Sequence, residues 1–144
     1  MKINLSLPSV EPLTLNTCTK YRVQGGRYVN AYKSEAYKDL EAMINTYLQM
    51  PSNKKQVDEF NKQYDQTKHY LSLDCRFYYP LITKKNTISK TSKDISNLIK
   101  PIEDILFKHL VCDDSQVINV NAIKIHSNEI KTIIELRGFD LSLL

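Results

Sequence analysis

Hydrophobic and polar positions alternate or recur along this chain in patterns that mark out its elements. Ile3, Leu5 and Leu7 alternate with Lys2, Asn4 and Ser6, which predicts a half-buried strand ending at Pro8. From Glu11 to Ala31 the sequence is polar and irregular around Gly25-Gly26-Arg27, and is read as a loop. Ser34 is a good N-cap for a helix from Glu35 to about Met50, with Ala36, Tyr37, Leu40, Met43, Ile44, Tyr47 and Leu48 as its apolar stripe. Lys54 to Gln66 is highly charged, with Val57, Phe60 and Tyr64 as its apolar anchors. It is read as a short surface helix or an insertion, the most dispensable segment. Leu71, Leu73, Cys75, Phe77 and Tyr79 alternate with Tyr70, Ser72, Asp74, Arg76 and Tyr78, a strand closed by Pro80. Thr83 to Ser92 reads as a linker rich in lysine, serine and threonine. A helix from Asp94 to about Leu110 turns Ile95, Leu98, Ile99, Ile102, Ile105, Leu106 and Leu110 to one face and contains Pro101, expected to bend it. Val117 to Ile125 and Ile130 to Arg137 are β-rich and read as a hairpin with a four-residue loop, His126-Ser127-Asn128-Glu129. The apolar tail, with Leu141, Leu143 and Leu144, is expected to pack on the body or on a second subunit.

The resulting class is α+β: one mixed sheet of about four strands with helices covering one face. With 144 residues and 42% hydrophobic content, residues 1–144 are expected to form one domain. Three widely spaced cysteines (Cys18, Cys75, Cys112) provide neither a disulfide framework nor a zinc knuckle. No apolar run approaches membrane-spanning length, and the expected setting is a reducing cytoplasm.

A net charge of +4 says little about partners, but its distribution says more. Lys20, Arg22, Arg27 and Lys33 fall in one stretch without an acid, and Lys84, Lys85, Lys90 and Lys93 in another. Two such stretches suit a phosphate-backbone footprint, and the first interleaves Tyr21, Tyr28 and Tyr32, which can stack on unpaired bases. The second runs into an acidic group. At about 100° per residue, Asp94, Asn97, Lys100 and Asp104 share the polar side of their helix, and Asp113-Asp114 follows its end. Such carboxylates form a divalent metal site, a lysine-paired network, or a solvated surface with Asp94 as an N-cap. For a metal, oxygen donors select Mg²⁺.

The run Asp94-x-x-Asn97-Leu98-x-Lys100, then Asp104, then Asp113-Asp114-x-Gln116 ahead of a strand, resembles the RusA-type Holliday junction resolvases. The likeness extends weakly to Pro12 and Asn16 near the N-terminus. It implies a homodimeric endodeoxyribonuclease that resolves four-way DNA junctions in recombination and repair by paired nicks. Asp94, Asp113 and Asp114 would hold Mg²⁺ (or Mn²⁺) and Lys100 would offset transition-state charge, supported by Asn97 and Asp104. Lys20, Arg22, Arg27, Lys84, Lys85, Lys90 and Lys93 would contact DNA. One position departs from the pattern: Ser96 stands where the family has an aspartate, and its neutral hydroxyl is a poorer hard-cation ligand. Two other accounts therefore stand beside the nuclease: a junction-binding protein that cuts weakly or not at all, and a non-enzymatic interaction module. His69, His109 and His126 have no serine or cysteine placed to form a nucleophile–base set, and are read as structural or exposed.

Overall fold

The computed structural model describes residues 1–8, 14, 19–24 and 28–144, with backbone alone at 19, 21–24 and 28–31. Its elements are strands β1 (Lys2–Pro8), β2 (Thr19–Gln24) and β3 (Tyr28–Lys33), helices α1 (Glu35–Gln49) and α2 (Pro51–Gln63), strand β4 (His69–Tyr79), helix α3 (Ile95–Phe107), and strands β5 (Val117–His126) and β6 (Lys131–Asp140). A four-stranded mixed sheet runs in the order β1-β6-β4-β5. β6 is antiparallel to both β1 and β4, while β4 and β5 are parallel and joined by α3. The class is α+β, as the patterns predict.

The alternating positions divide the sheet into two faces. Ile3, Leu5, Leu7, Leu71, Leu73, Cys75, Phe77, Ile134 and Leu136 are buried in one cluster with side chains of all three helices. Ser34 caps α1 by accepting from the Tyr37 N–H, and Tyr37, Leu40, Ile44 and Leu48 supply that helix's buried face. α3 buries Leu98, Pro101, Ile102, Ile105 and Leu106. The other face carries Ser72, Asp74, Asn119, Asn121, Glu135 and Arg137. There Asn119 donates to Ser72 and Asn121 to Asp74, while Arg76 pairs with Asp74 and Glu135 with Lys2 and Arg137.

Three sequence readings change in the sheets and helices. β5 and β6 are not a hairpin: β4 lies between them and pairs with both. The short connection crosses the end of β4, where the Ser127 N–H donates to the Tyr79 carbonyl at 3.1 Å. Part of the supposed loop before α1 is a separate two-stranded sheet of β2 and β3; Gly25-Gly26-Arg27, with Pro12, Asn16 and Cys18, lies outside the described residues. Segment 54–66 falls largely within α2, the short surface helix of the two alternatives, but its anchors Val57 and Phe60 are buried in the core, so it is not a dispensable insertion. The Gln56 side chain also accepts from the Asn4 N–H at 2.8 Å and donates to the Asn4 carbonyl at 3.1 Å, satisfying the backbone of that one residue on the free edge of β1. Leu141, Leu143 and Leu144 are exposed on this chain. Among the described residues no helix is long and apolar enough to cross a membrane.

Candidate active site

Lys100 lies on the sixth helical residue of α3, and its ammonium reaches out of the helix to the turn that follows. Its Nζ is 2.6 Å from Asp114 Oδ2, 2.9 Å from Asp104 Oδ1 and 3.4 Å from Glu103 Oε1. One lysine therefore joins both parts of the acidic motif. The Asp104 contact follows from i,i+4 spacing on the helix. The Asp114 contact needs the turn after α3 to double back. Asp113 shapes that turn: its Oδ1 accepts from the Ser115 N–H at 2.9 Å, opening the 3-10 turn Asp114–Gln116 that feeds β5.

Charge in this group is strongly coupled. Hydrogen bonds to Asp114 and then Asp104 hold the Lys100 ammonium protonated well beyond the ordinary lysine range. The Lys100 hydrogen bond, followed by one to Glu103, pulls Asp114 below the usual carboxylate range. Glu103 moves the other way, raised first by burial and then by its hydrogen bond to Asp114. In its protonated form Glu103 donates to the Asp114 carboxylate. Glu103 was not among the expected site residues; its i,i+3 spacing allows the Lys100 pair but does not foretell its contact with Asp114.

Asp94 occupies the N-cap of α3, but its side chain makes no capping bond; the Asn97 N–H donates to its carbonyl at 3.1 Å instead. It is exposed, and among the described residues it shares no hydrogen bond or ion pair with Asp113 or Asp114. Along the axis it stands roughly 9 Å from Lys100, six residues at the helical rise. Among the described residues no group of three or more His, Cys, Asp or Glu side chains is arranged to hold a metal ion. The donor chemistry nonetheless fits Mg²⁺, which commonly takes one or two protein carboxylates and leaves its other positions to water and substrate phosphate. Asp94 and Asp113 are exposed oxygen donors of that kind. Ser96 is exposed and Asn97 half-buried on the first turn of α3.

The basic residues surround this helix unevenly. Thr83–Ser92 is not a linker but a small hairpin. Ile82 and Ile88 form an antiparallel bridge, the Thr83 N–H donates to the Thr87 carbonyl, and the Asn86 N–H donates to the Thr83 carbonyl. Asn86 takes the left-handed conformation (φ 57°) that such a three-residue turn requires. Lys84, Lys85 and Lys90 are exposed on it, and none is in an ion pair among the described residues. Lys124 Nζ, from β5, donates to Ser92 Oγ and to the Lys93 carbonyl, both at 2.9 Å, securing the chain where it enters α3. His126 Nδ1 accepts from the N–H groups of Leu81 and Ile82, at 3.0 and 3.2 Å. His69 likewise accepts from the Asp65 N–H, and His109 bonds Asn45. Lys20 is exposed on β2. The Arg22 side chain and Arg27 lie outside the described residues.

A family model described as Endodeoxyribonuclease RusA matches residues 12–137. The match spans the hairpin, α3 and the turn that Lys100 reaches. No curated protein matches the sequence.

Proposed function

Because this chain belongs to the RusA endodeoxyribonuclease family, we propose that it cuts branched DNA at four-way junctions, as a homodimer and with Mg²⁺. The observation that carries this reading is the Lys100–Asp114 contact at 2.6 Å, which ties the helix segment of the family pattern to its Asp-Asp turn. Asp94, Asp113 and Asp114 are the residues that would hold Mg²⁺, with Mn²⁺ as its substitute. When bound, the ion supplies Lewis acidity at the scissile phosphate. Lys100 offers its ammonium to charge growing on the phosphate oxygens, and Asp104 and Glu103 fix where that ammonium points. Lys84, Lys85, Lys90 and Lys93, together with Lys20, Arg22 and Arg27, bind the DNA backbone. A junction is two-fold symmetric, so paired nicks call for two such sites on a symmetric pair of chains.

A second reading is favoured by one observation, Ser96 in place of the family's aspartate. In it the protein binds junctions and cuts them weakly. A synthetic four-way junction with Mg²⁺ and Mn²⁺ titrations separates the two. Nicking by wild type, lost in Asp114→Asn with binding retained, supports the nuclease. Binding without nicking at any metal concentration, with a marked gain of cutting in Ser96→Asp, supports the second reading. Failure to bind any branched DNA in a salt-sensitive manner defeats both.

A further inference from the structure

The hairpin between β4 and α3 presents an apolar pair to solvent. Ile82 and Ile88 face one another across its bridge, yet Ile88 is 72% exposed and Ile82 47% exposed. Single exposed apolar residues are ordinary on a protein surface. This pair differs in being mounted on a stiff support. Leu81, just before it, is buried in the core, and His126 holds the Leu81 and Ile82 N–H groups. Thr83 and Thr87 hydroxyls bond across the strands at 2.9 Å, and Lys124 fastens the exit at Ser92 and Lys93. The isoleucines are thus held out from the body with their backbone already ordered.

Their surroundings identify the partner. Lys84 and Lys85 form the tip, Lys90 follows, and no acidic residue occurs between Thr83 and Lys93. An apolar projection ringed by unpaired lysines is complementary to a polyanion with an apolar interior, which is what stacked bases between phosphate backbones are. Six residues after Ile88 the chain reaches Asp94, so the hairpin leads directly into the N-terminus of α3.

We propose that Ile88, backed by Ile82, is a wedge that enters between base steps at the branch point while Lys84, Lys85 and Lys90 hold the flanking phosphates. The inference rests on the reading of this protein as a binder of branched DNA and adds how it distinguishes a junction from a duplex. A duplex must be unstacked to admit the side chain, whereas a branch point has already lost part of its stacking.

The test uses the whole protein, in EDTA to prevent cutting, and a four-way junction carrying 2-aminopurine beside the branch point. Binding by wild type raises 2-aminopurine fluorescence. Ile88→Ser abolishes the rise and lowers the junction-to-duplex affinity ratio about tenfold, with an unchanged melting temperature, since the side chain is exposed. Ile88→Leu keeps both. Lys84→Gln/Lys85→Gln weakens junction and duplex binding by the same factor and leaves the rise intact at saturation. An Ile88→Ser protein with wild-type fluorescence and affinity ratio overturns the wedge and leaves junction binding standing. So does an Ile88→Ser protein that falls from dimer to monomer, which would make the isoleucines a subunit contact. A wild-type protein that binds no branched DNA removes the wedge and the functional reading together.

Discussion

Lys100 is the counter-ion that three carboxylates share. Asp114 sits below the ordinary carboxylate range because of it, so the pair's contribution is present above that range and is lost as pH falls through the lowered value. Both partners are partly exposed, which limits the pair to about 1 kcal/mol. Lys100→Met should therefore lower stability by about that much at neutral pH and flatten the acid limb of the profile, read from urea midpoints between pH 3 and 7. If Mg²⁺ binds at Asp114 as proposed, the same variant should gain more thermal stability from the added ion than wild type does, because the ammonium no longer competes for that carboxylate; an equal gain would count against that placement. Burial pushes the Cys75 thiol up to about 12. At pH 8 it is protonated and enclosed, so iodoacetamide should leave its peptide unlabelled until the protein is unfolded, a result that peptide mass spectrometry reads directly. Among the site residues, spacing foretold the Lys100–Asp104 pair. Glu103 escaped notice because its importance comes from burial beside Asp114, a long-range contact that helical spacing does not encode.

The elements legible in the sequence are those with one wet face and one dry one. β1, α1, β4 and α3 follow their periodicities to within a few residues, because each packs a single stripe against a common core. The β2–β3 pair was also within reach: Gly-Gly between two runs rich in tyrosine and valine is a hairpin signal, though the polar residues around it read as loop. The β5–β6 error has another origin. A four-residue connection is within the range of hairpin loops, and nothing local tells that β4 has been inserted between the two strands. Only the tertiary need to bury Leu71, Leu73 and Phe77 at the sheet centre decides it. Charge concealed the role of α2, whose two core anchors stand among lysines and acids. Phe60→Ala should destabilise the protein by about 3–5 kcal/mol, measured by chemical denaturation, where a surface appendage would lose less than 1. In the small hairpin, Asn86→Gly should be tolerated, whereas Asn86→Val should cost about 1–2 kcal/mol and raise amide exchange across Thr83–Ser89, because a β-branched side chain resists positive φ.

For the molecule as a whole, a net charge of +4 is too small to drive DNA binding uniformly; the lysine-bearing hairpin concentrates it. Replacing Lys84, Lys85 and Lys90 by glutamine should reduce the log–log dependence of junction affinity on salt by roughly 2–3, read from fluorescence anisotropy titrations over a range of salt concentrations. A slope unchanged by that triple replacement would move the electrostatic footprint to the N-terminal basic stretch. The two borders of the main sheet differ as well. Gln56 occupies the outer side of β1, while β5 has no strand beyond it among the described residues. A strand arriving at the β1 margin would first have to displace Gln56 from Asn4, whereas one arriving at the β5 margin would meet no such side chain among the described residues.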